Sequence, residues 1–128
     1  MKPTLFLLLT AIISFSCQTK NAHTEGASVL RHVVMFKFKD SASAADIKKV
    51  ETAFRALPAQ IKEIKSFEWG VNNSPENIAQ GFTHCFFLSF ASEADRAVYL
   101  PHPDHKAFGA VLTPHLDKVL VLDYWAEK

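Results

Sequence analysis

The sequence predicts an α+β domain of ferredoxin-like type, with the element order βαββαβ and one four-stranded antiparallel sheet. Four segments have the alternation or the apolar composition of strands, at residues 31–39, 64–71, 82–90 and 118–125. Apolar residues recur at helical spacing between the first two strands and again between the last two. A chain of 128 residues without internal repeats is long enough for a single domain with one core.

The first strand and the first helix follow from alternation and from a capping pattern. In the first strand, one face contains His32, Val34, Phe36 and Phe38. Ser43 and Asp46 have the spacing of a capping box, which marks the N-terminus of a helix. Apolar residues then recur at helical spacing up to a proline, so this helix is expected to lay an apolar stripe on the sheet, formed by Ile47, Val50, Phe54 and Leu57.

The second and third strands are separated by a segment of turn-forming residues. Residues 64–71 place Phe67 and Trp69 on one side of a strand, and residues 72–81 contain the Asn, Ser, Pro and Gly that are typical of turns. The third strand is largely apolar on both faces, which is typical of a central strand that is covered on both sides. One of its faces contains Phe82, His84, Phe86, Leu88 and Phe90.

Two helical segments and a last strand complete the domain. Ser92 and Asp95 again have capping-box spacing, and two prolines divide the helical region into segments of about residues 93–100 and 103–112. Polar side chains lie close to this break, namely Tyr99, His102 and His105. Residues 118–125 contain consecutive apolar residues and are predicted to form a fully buried strand.

The predicted helices can cover only one face of the four-stranded sheet. The other face would contain Val33, Met35, Cys85 and Phe87 and would form an exposed apolar surface. Monomers rarely expose a surface of this kind, so we expect a homodimer that associates through this face. Two such sheets would close into a dimeric α/β barrel.

The first residues have the pattern of an export signal. Lys2 precedes a largely apolar run of 11 residues, which is shorter than the roughly 20 residues of a membrane-spanning helix. Cys17 resembles the lipid-attachment cysteine of bacterial lipoproteins, although Ser14 replaces the usual leucine, and an ordinary secretory signal is the alternative. We therefore expect three parts, which are a signal peptide at residues 1–16, a lipidated cysteine with a flexible tether at residues 17–29, and the folded domain at residues 30–128.

Charge and cysteine content limit the expected partners. The formal net charge of +1 becomes 0 when Lys2 is removed with the signal, and no basic patch remains that would attract nucleic acid. If Cys17 is acylated, Cys85 has no partner in the chain, and such a cysteine in an apolar strand is usually a small buried hydrophobe. We expect no nucleic acid, metal or cofactor, and attachment to the bacterial cell envelope through the lipid anchor only.

Four motifs, taken together in this order, resemble one family: RHVVMFKFKD at the first strand, EWG at residues 68–70, GFTH at residues 81–84 and YLPHPDHKAFG at residues 99–109. The chain resembles the stress-responsive alpha/beta barrel (Dabb) family from about Arg31 to Trp125. The resemblance implies a ferredoxin-like dimeric barrel, in agreement with the argument from the sheet. Within the family, the chain is similar to plant polyketide cyclases of the olivetolic acid type.

The similarity to these cyclases also implies site residues. Their catalytic tyrosine and histidine correspond to Tyr99 and His105, and their pocket histidines correspond to His32, His84 and His102. Apolar residues complete the expected ligand-binding set, namely Val34, Phe36, Phe54, Phe86 and Phe108.

Two positions and the expected location depart from the cyclases. Glu51 replaces a bulky aromatic residue of the cyclase pocket, and Leu116 replaces a tryptophan. An exported protein would also not normally meet coenzyme A thioesters, which are cytoplasmic. We therefore transfer the possible acid–base pair to this chain, but not the substrate of the cyclases.

The chemistry of this pair can be argued from position. His105 lies in the first turn of a predicted helix, where the helix dipole disfavours the imidazolium, so it would remain a base. Tyr99 would donate a hydrogen bond to a carbonyl oxygen on which negative charge develops. Four of these residues also have a structural alternative: Tyr99 at the core edge with its hydroxyl in water, His102 as a helix cap, and His32 and His84 as core histidines. The spacing of His84, His102 and His105 would also permit a metal site, which we do not expect.

Three functions therefore remain open. The preferred one is an envelope-anchored homodimer that binds a small apolar or carbonyl-containing ligand between sheet and helices. The second is an enzyme with cyclase, isomerase or lyase chemistry, in which His105 is the general base and Tyr99 is the hydrogen-bond donor. The third is a non-catalytic, stress-related assembly without a pocket.

Overall fold

The computed structural model describes residues 28–127. The elements are β1 (Leu30–Phe38), α1 (Ala44–Gln60), β2 (Ser66–Val71), β3 (His84–Phe90), α2 (Glu93–Tyr99), α3 (Pro103–Leu112) and β4 (Leu116–Trp125). The strands form one antiparallel sheet in the order β2-β3-β1-β4. This topology confirms the predicted ferredoxin-like α+β class. The predicted signal peptide and the lipidated Cys17 lie outside the described residues.

Capping side chains begin the helices at the predicted positions. The Ser43 hydroxyl accepts a hydrogen bond from the Asp46 N–H at 3.1 Å, and the Asp46 carboxylate accepts from the Ser43 N–H at 3.2 Å. This reciprocal pair is the predicted capping box. Ser92 caps α2 by accepting from the Asp95 N–H. α3 begins at Pro103, which suits the first position of a helix because its missing N–H is not needed there.

The core lies between the sheet and the three helices, which cover the same side of it. We call this side the helix face. The buried side chains that pack there include Val34 and Phe36 of β1, Val50, Phe54 and Leu57 of α1, Phe86, Leu88 and Phe90 of β3, Tyr99 of α2, and Phe108 and Leu112 of α3. The predicted apolar stripe of the first helix is therefore the side that packs against the sheet.

The opposite side of the sheet has no helix over it, and we call it the open face. Its apolar residues include Val33, Met35, Cys85, Phe87, Leu120 and Leu122, which the strand registers place side by side. Val33 is 9% exposed, Met35, Cys85 and Phe87 are half-buried, and Leu122 is 49% exposed. The predicted assignment of residues to the two faces of β1 and β3 agrees with these registers.

Two predictions about the strands were wrong. β4 is not fully buried, since Val119 is 50% and Val121 is 44% exposed. The reason is its place at the edge of the sheet, where β1 is its one neighbour in the described sheet. β3 begins at His84 rather than near Phe82, shortly after a turn in which Gln80 and Gly81 have φ values of 53° and 83°.

One observation concerns membranes. Among residues 28–127, no helix combines the length and the apolar composition that crossing a bilayer requires.

Candidate functional site

Tyr99, His105 and His32 come together at one end of the helix face. Tyr99 ends α2, and its side chain is completely buried. Its ring centroid lies 4.4 Å from that of His105 and 5.6 Å from that of His32, while Phe90 lies on a third side at 5.1 Å. The structure therefore brings together the two residues predicted as catalytic and one of the predicted pocket histidines.

The Tyr99 hydroxyl has no hydrogen-bond partner among the described residues, although it is shielded from solvent. Leaving a buried hydroxyl unpaired costs about 1–3 kcal/mol, so native proteins rarely do so without a reason. Burial, and secondarily the negative charge of Asp123, raises the pKa of this phenol above its ordinary value of 10.0. At neutral pH, Tyr99 is therefore a protonated hydrogen-bond donor without an acceptor among residues 28–127.

His105 is fixed as a single tautomer. Its Nδ1 lies 2.9 Å from the backbone oxygen of Leu100, and a carbonyl oxygen can only accept, so the proton is on Nδ1. In the neutral imidazole, Nε2 then has a free lone pair. His105 is the third residue of α3, so it lies in the first helical turn as predicted, and its side chain is half-buried.

His32 is held by a chain of charged groups that the sequence analysis did not find. Its Nδ1 lies 2.9 Å from Oδ1 of Asp123 on β4, and the same oxygen lies 3.2 Å from Nη1 of Arg96 on α2. Since a carboxylate accepts, Nδ1 of His32 has the proton. A signal for this contact exists in the sequence, because the alternation of β4 places Asp123 on the helix face among apolar neighbours.

His84 is also buried on the helix face, but it belongs to a different cluster. In the sheet register it lies opposite Phe36, four residues along β1 from His32, which corresponds to roughly 13 Å. Its Nε2 lies 3.2 Å from Oε1 of Glu51, and its Nδ1 lies 2.8 Å from Oγ1 of Thr83. His84 is therefore bonded to side chains rather than to the backbone, and it is distant from Tyr99.

His102 acts as a helix cap. Its Nδ1 accepts a hydrogen bond from the Asp104 N–H at 3.2 Å at the start of α3. This is the structural alternative considered for His102 in the sequence analysis. His84, His102 and His105 do not converge, and no group of three or more metal-ligating side chains occurs within residues 28–127.

The apolar residues expected to bind a ligand pack on one another between the two ends of the helix face. The rings of Phe54 and Phe86 stack at 4.1 Å, and Phe108 meets Phe54 edge-on at 4.7 Å. Phe36 lies 5.3 Å from Phe86, and Val34 is 6% exposed beside them. We call Phe36, Phe54, Phe86 and Phe108 the aromatic block. It separates the cluster at Tyr99 from the cluster at His84.

Sequence comparison supports the resemblance. Residues 30–126 match the model of the Stress responsive A/B Barrel Domain (Dabb). The stress-response A/B barrel domain-containing protein HS1 of Arabidopsis thaliana is 38% identical over 100 residues, which cover 78% of this chain and 92% of that protein. Olivetolic acid cyclase of Cannabis sativa is 29% identical over 99 residues, which cover 77% of this chain and 98% of the cyclase.

Solved structures agree with this result. Hydroxynitrile lyase from Passiflora edulis superposes with a TM-score of 0.74 at 28% identity, covering 80% of this chain and 96% of the lyase. A dimeric protein of ferredoxin-like fold from Bacteroides fragilis superposes with a TM-score of 0.64 at 27% identity, covering 77% and 96% of the two chains. Fold, residue pattern and sequence similarity lead to one conclusion: the chain belongs to the stress-responsive A/B barrel (Dabb) domain family.

Proposed function

We propose that this protein is an enzyme that makes or breaks a carbon–carbon bond next to a carbonyl or hydroxyl-bearing carbon. The observation behind this proposal is the buried Tyr99 hydroxyl, which has no hydrogen-bond partner in the described part of the chain and adjoins a histidine whose tautomer is fixed. A substrate oxygen would provide the missing acceptor for Tyr99. The lone pair on Nε2 of His105 would accept the proton that the reaction releases.

The two groups suit both directions of this chemistry. In cleavage of a hydroxynitrile, Nε2 of His105 takes the hydroxyl proton, a C=O bond forms, and cyanide leaves with the electron pair of the broken bond. The cyanide then takes the proton from His105. In the forming direction, His105 removes a proton next to a carbonyl, the resulting carbanion attacks a second carbonyl, and the oxygen of that carbonyl then takes the proton back from His105. In both directions, Tyr99 donates a hydrogen bond to the oxygen that bears negative charge.

Relatives support the proposed class. Two of the similar proteins are named as enzymes, namely a hydroxynitrile lyase and olivetolic acid cyclase. The catalytic pair expected from the cyclases corresponds to Tyr99 and His105. The ring centroids of these two residues lie 4.4 Å apart. This favours the enzyme over the assembly without a site.

We also propose that the enzyme works as a homodimer outside the cytoplasm. The dimer is supported by the apolar open face and by the dimeric Bacteroides fragilis neighbour. Export and lipid attachment at Cys17 are proposed from the sequence of residues 1–17. Mass spectrometry of the mature N-terminus tests this: a diacylglyceryl mass on Cys17 is expected, and an unmodified cysteine there contradicts the anchor.

The test of the reaction uses mandelonitrile, whose cleavage releases an aldehyde that absorbs in the ultraviolet. We expect turnover by the purified protein, and a loss of about a hundredfold or more in His105→Ala, which removes the base. Tyr99→Phe should lose a comparable factor of about a hundred, as after removal of an oxyanion donor. His115→Ala is the matched control, because His115 is half-buried but lies on the other side of the aromatic block, 3.9 Å from Asp46.

Three outcomes separate the functions. Turnover that both site variants lose and the control keeps supports the enzyme. Ligand-induced thermal stabilisation without turnover, lost in the same variants, supports binding without catalysis. Neither turnover nor stabilisation with a panel of small aldehydes, ketones and hydroxynitriles would leave the assembly as the better interpretation.

A further inference from the structure

One carboxylate oxygen near the candidate site is shared by two donors from different elements. Oδ1 of Asp123 on β4 lies 2.9 Å from Nδ1 of His32 on β1 and 3.2 Å from Nη1 of Arg96 on α2. The side chains of Arg96 and Asp123 are 25% and 30% exposed, whereas that of His32 is only 5% exposed. The carboxylate therefore lies at the boundary between the solvent and the buried cluster at Tyr99.

The negative charge of Asp123 acts on Tyr99. Burial is the first cause that raises the pKa of the Tyr99 phenol, and the charge of Asp123 is the second, because a nearby anion disfavours the phenolate. The same charge would disfavour any oxyanion that forms beside the Tyr99 hydroxyl. In the proposed reaction, the substrate oxygen that accepts from Tyr99 becomes such an oxyanion. The carboxylate that holds His32 is therefore unfavourable for this reaction unless its charge is balanced.

Two groups in contact with Asp123 could balance its charge. Arg96 is positively charged at every pH at which the protein is folded, whereas His32 is charged only after it gains a second proton. Because Arg96 already supplies a positive charge, His32 can stay neutral and keep a lone pair on Nε2. The side chains packed around His32 are Asp123 of β4, Arg96 and Tyr99 of α2, Phe90 of β3 and, behind Tyr99, His105 of α3.

We propose that Arg96 is a positioning residue, which holds the Asp123 carboxylate against His32 and balances its charge, so that an oxyanion can develop beside Tyr99. This inference rests on the proposed function. The place of Arg96 in α2 supports it, since Arg96 lies three residues before Tyr99, and residues at this spacing are neighbours on a helix surface. Arg96 acts through Asp123 and does not have to touch the substrate.

The first test compares variants in which the charge changes, measured by mandelonitrile turnover. In Arg96→Met, the charge of Asp123 is unbalanced, and we expect kcat to fall about tenfold with little change in KM, as for one pKa unit of interaction with the oxyanion. Arg96→Lys keeps the charge and should keep most of the activity. Arg55→Met is the matched control, because the Arg55 guanidinium lies 5.5 Å from the centroid of the Trp69 ring, in the cluster at His84.

A double variant separates charge balance from a merely structural ion pair. Asp123→Asn removes the charge but keeps an oxygen that can accept from Nδ1 of His32. Combined with Arg96→Met, it should restore kcat to within about threefold of wild type, because no charge remains to be balanced. If the ion pair only held α2 to β4, then Asp123→Asn alone would also break it, and the double variant would be as impaired as Arg96→Met.

A second measurement does not require turnover. Nitrogen-15 NMR of the His32 side chain, assigned by comparison with His32→Gln, follows the gain of its second proton. In Arg96→Met, the unbalanced carboxylate favours the imidazolium, so the pH midpoint of this step should rise by about one unit relative to wild type. Below the new midpoint, the imidazolium replaces the charge of Arg96. The ratio of kcat between variant and wild type should therefore approach one at low pH and fall to its minimum above the midpoint.

Three results would overturn the inference about Arg96. These are an unchanged kcat in Arg96→Met, a double variant that does not recover the lost kcat, and an unchanged His32 midpoint in Arg96→Met. Absence of turnover by wild type would overturn the proposed function, and with it the role of Arg96 in the reaction. Turnover by wild type with an unchanged His32 midpoint would overturn the inference about Arg96 alone, so the two failures can be distinguished.

Discussion

Replacing Tyr99 by phenylalanine should make the protein more stable. The change removes one oxygen atom that is completely buried and has no partner among the described residues. The ring keeps its contacts with His32, Phe90 and His105, so the apolar burial is nearly unchanged. An unpaired buried hydroxyl costs about 1–3 kcal/mol, and we expect a gain of about 1 kcal/mol, at the lower end, because the site relaxes around the lost atom.

Urea denaturation measures this gain directly. In a thermal unfolding experiment on a domain of this size, the same gain of about 1 kcal/mol corresponds to a rise in Tm of roughly 4–8 °C. The matched control is Tyr124→Phe, because Tyr124 is 46% exposed on β4. We expect the control to change the free energy of unfolding by less than about 0.5 kcal/mol.

Destabilisation of Tyr99→Phe by about 1 kcal/mol or more would refute this reasoning. It would mean that the hydroxyl forms a hydrogen bond in solution, and the main support for the proposed active site would be lost. Stabilisation together with loss of mandelonitrile turnover would be the signature of a group kept for function at the expense of stability.

Three further predictions concern other parts of the fold. Ser43→Ala should lower the free energy of unfolding by about 1 kcal/mol in urea denaturation, because it removes the N-cap of α1. The pKa of Glu51 is depressed by Lys48 and His84, so its contribution to stability is present above its ordinary value of 4.5 and is lost as the pH falls through the lower folded value. Wild type should therefore lose more stability in acid than Glu51→Gln, measured by urea denaturation across this range, and equal losses would contradict the pairing. Phe87→Asp places a charge on the open face and should give monomers or aggregates in analytical ultracentrifugation, whereas an unchanged soluble dimer would contradict the choice of interface.

The fold could be predicted from local sequence patterns, and the errors concern features that depend on distant parts of the fold. Alternation fixed the faces of β1 and β3, and the serine–aspartate spacing located the start of α1, because both effects act over a few residues. The exposure of β4 depends on its position at the sheet edge, which no short pattern indicates. The late start of β3 follows a turn with a positive φ at Gln80, and glutamine is not a residue type that typically adopts a positive φ.

In the candidate site, too, local patterns predicted the residue types but not the contacts between distant residues. Its residue types could be predicted from the YLPHPDH motif and from family resemblance, and the structure brings Tyr99 and His105 together. Their hydrogen-bond partners could not be predicted as easily, because Asp123 is 91 residues from His32 and Glu51 is 33 residues from His84. Strand register and helix docking create these pairs. The predicted group of histidines therefore divides into two clusters on either side of the aromatic block.

The hydrogen bond between His32 and Asp123 joins the interior to the outermost strand. Asp123 belongs to β4, which has a free edge in the described sheet, and its carboxylate bonds the imidazole that packs on the Tyr99 ring. If a neighbouring molecule shifts β4, the shift of Asp123 would move His32, which packs against the Tyr99 ring. We therefore expect contacts at the free edge of β4 to influence the proposed active site through this hydrogen bond.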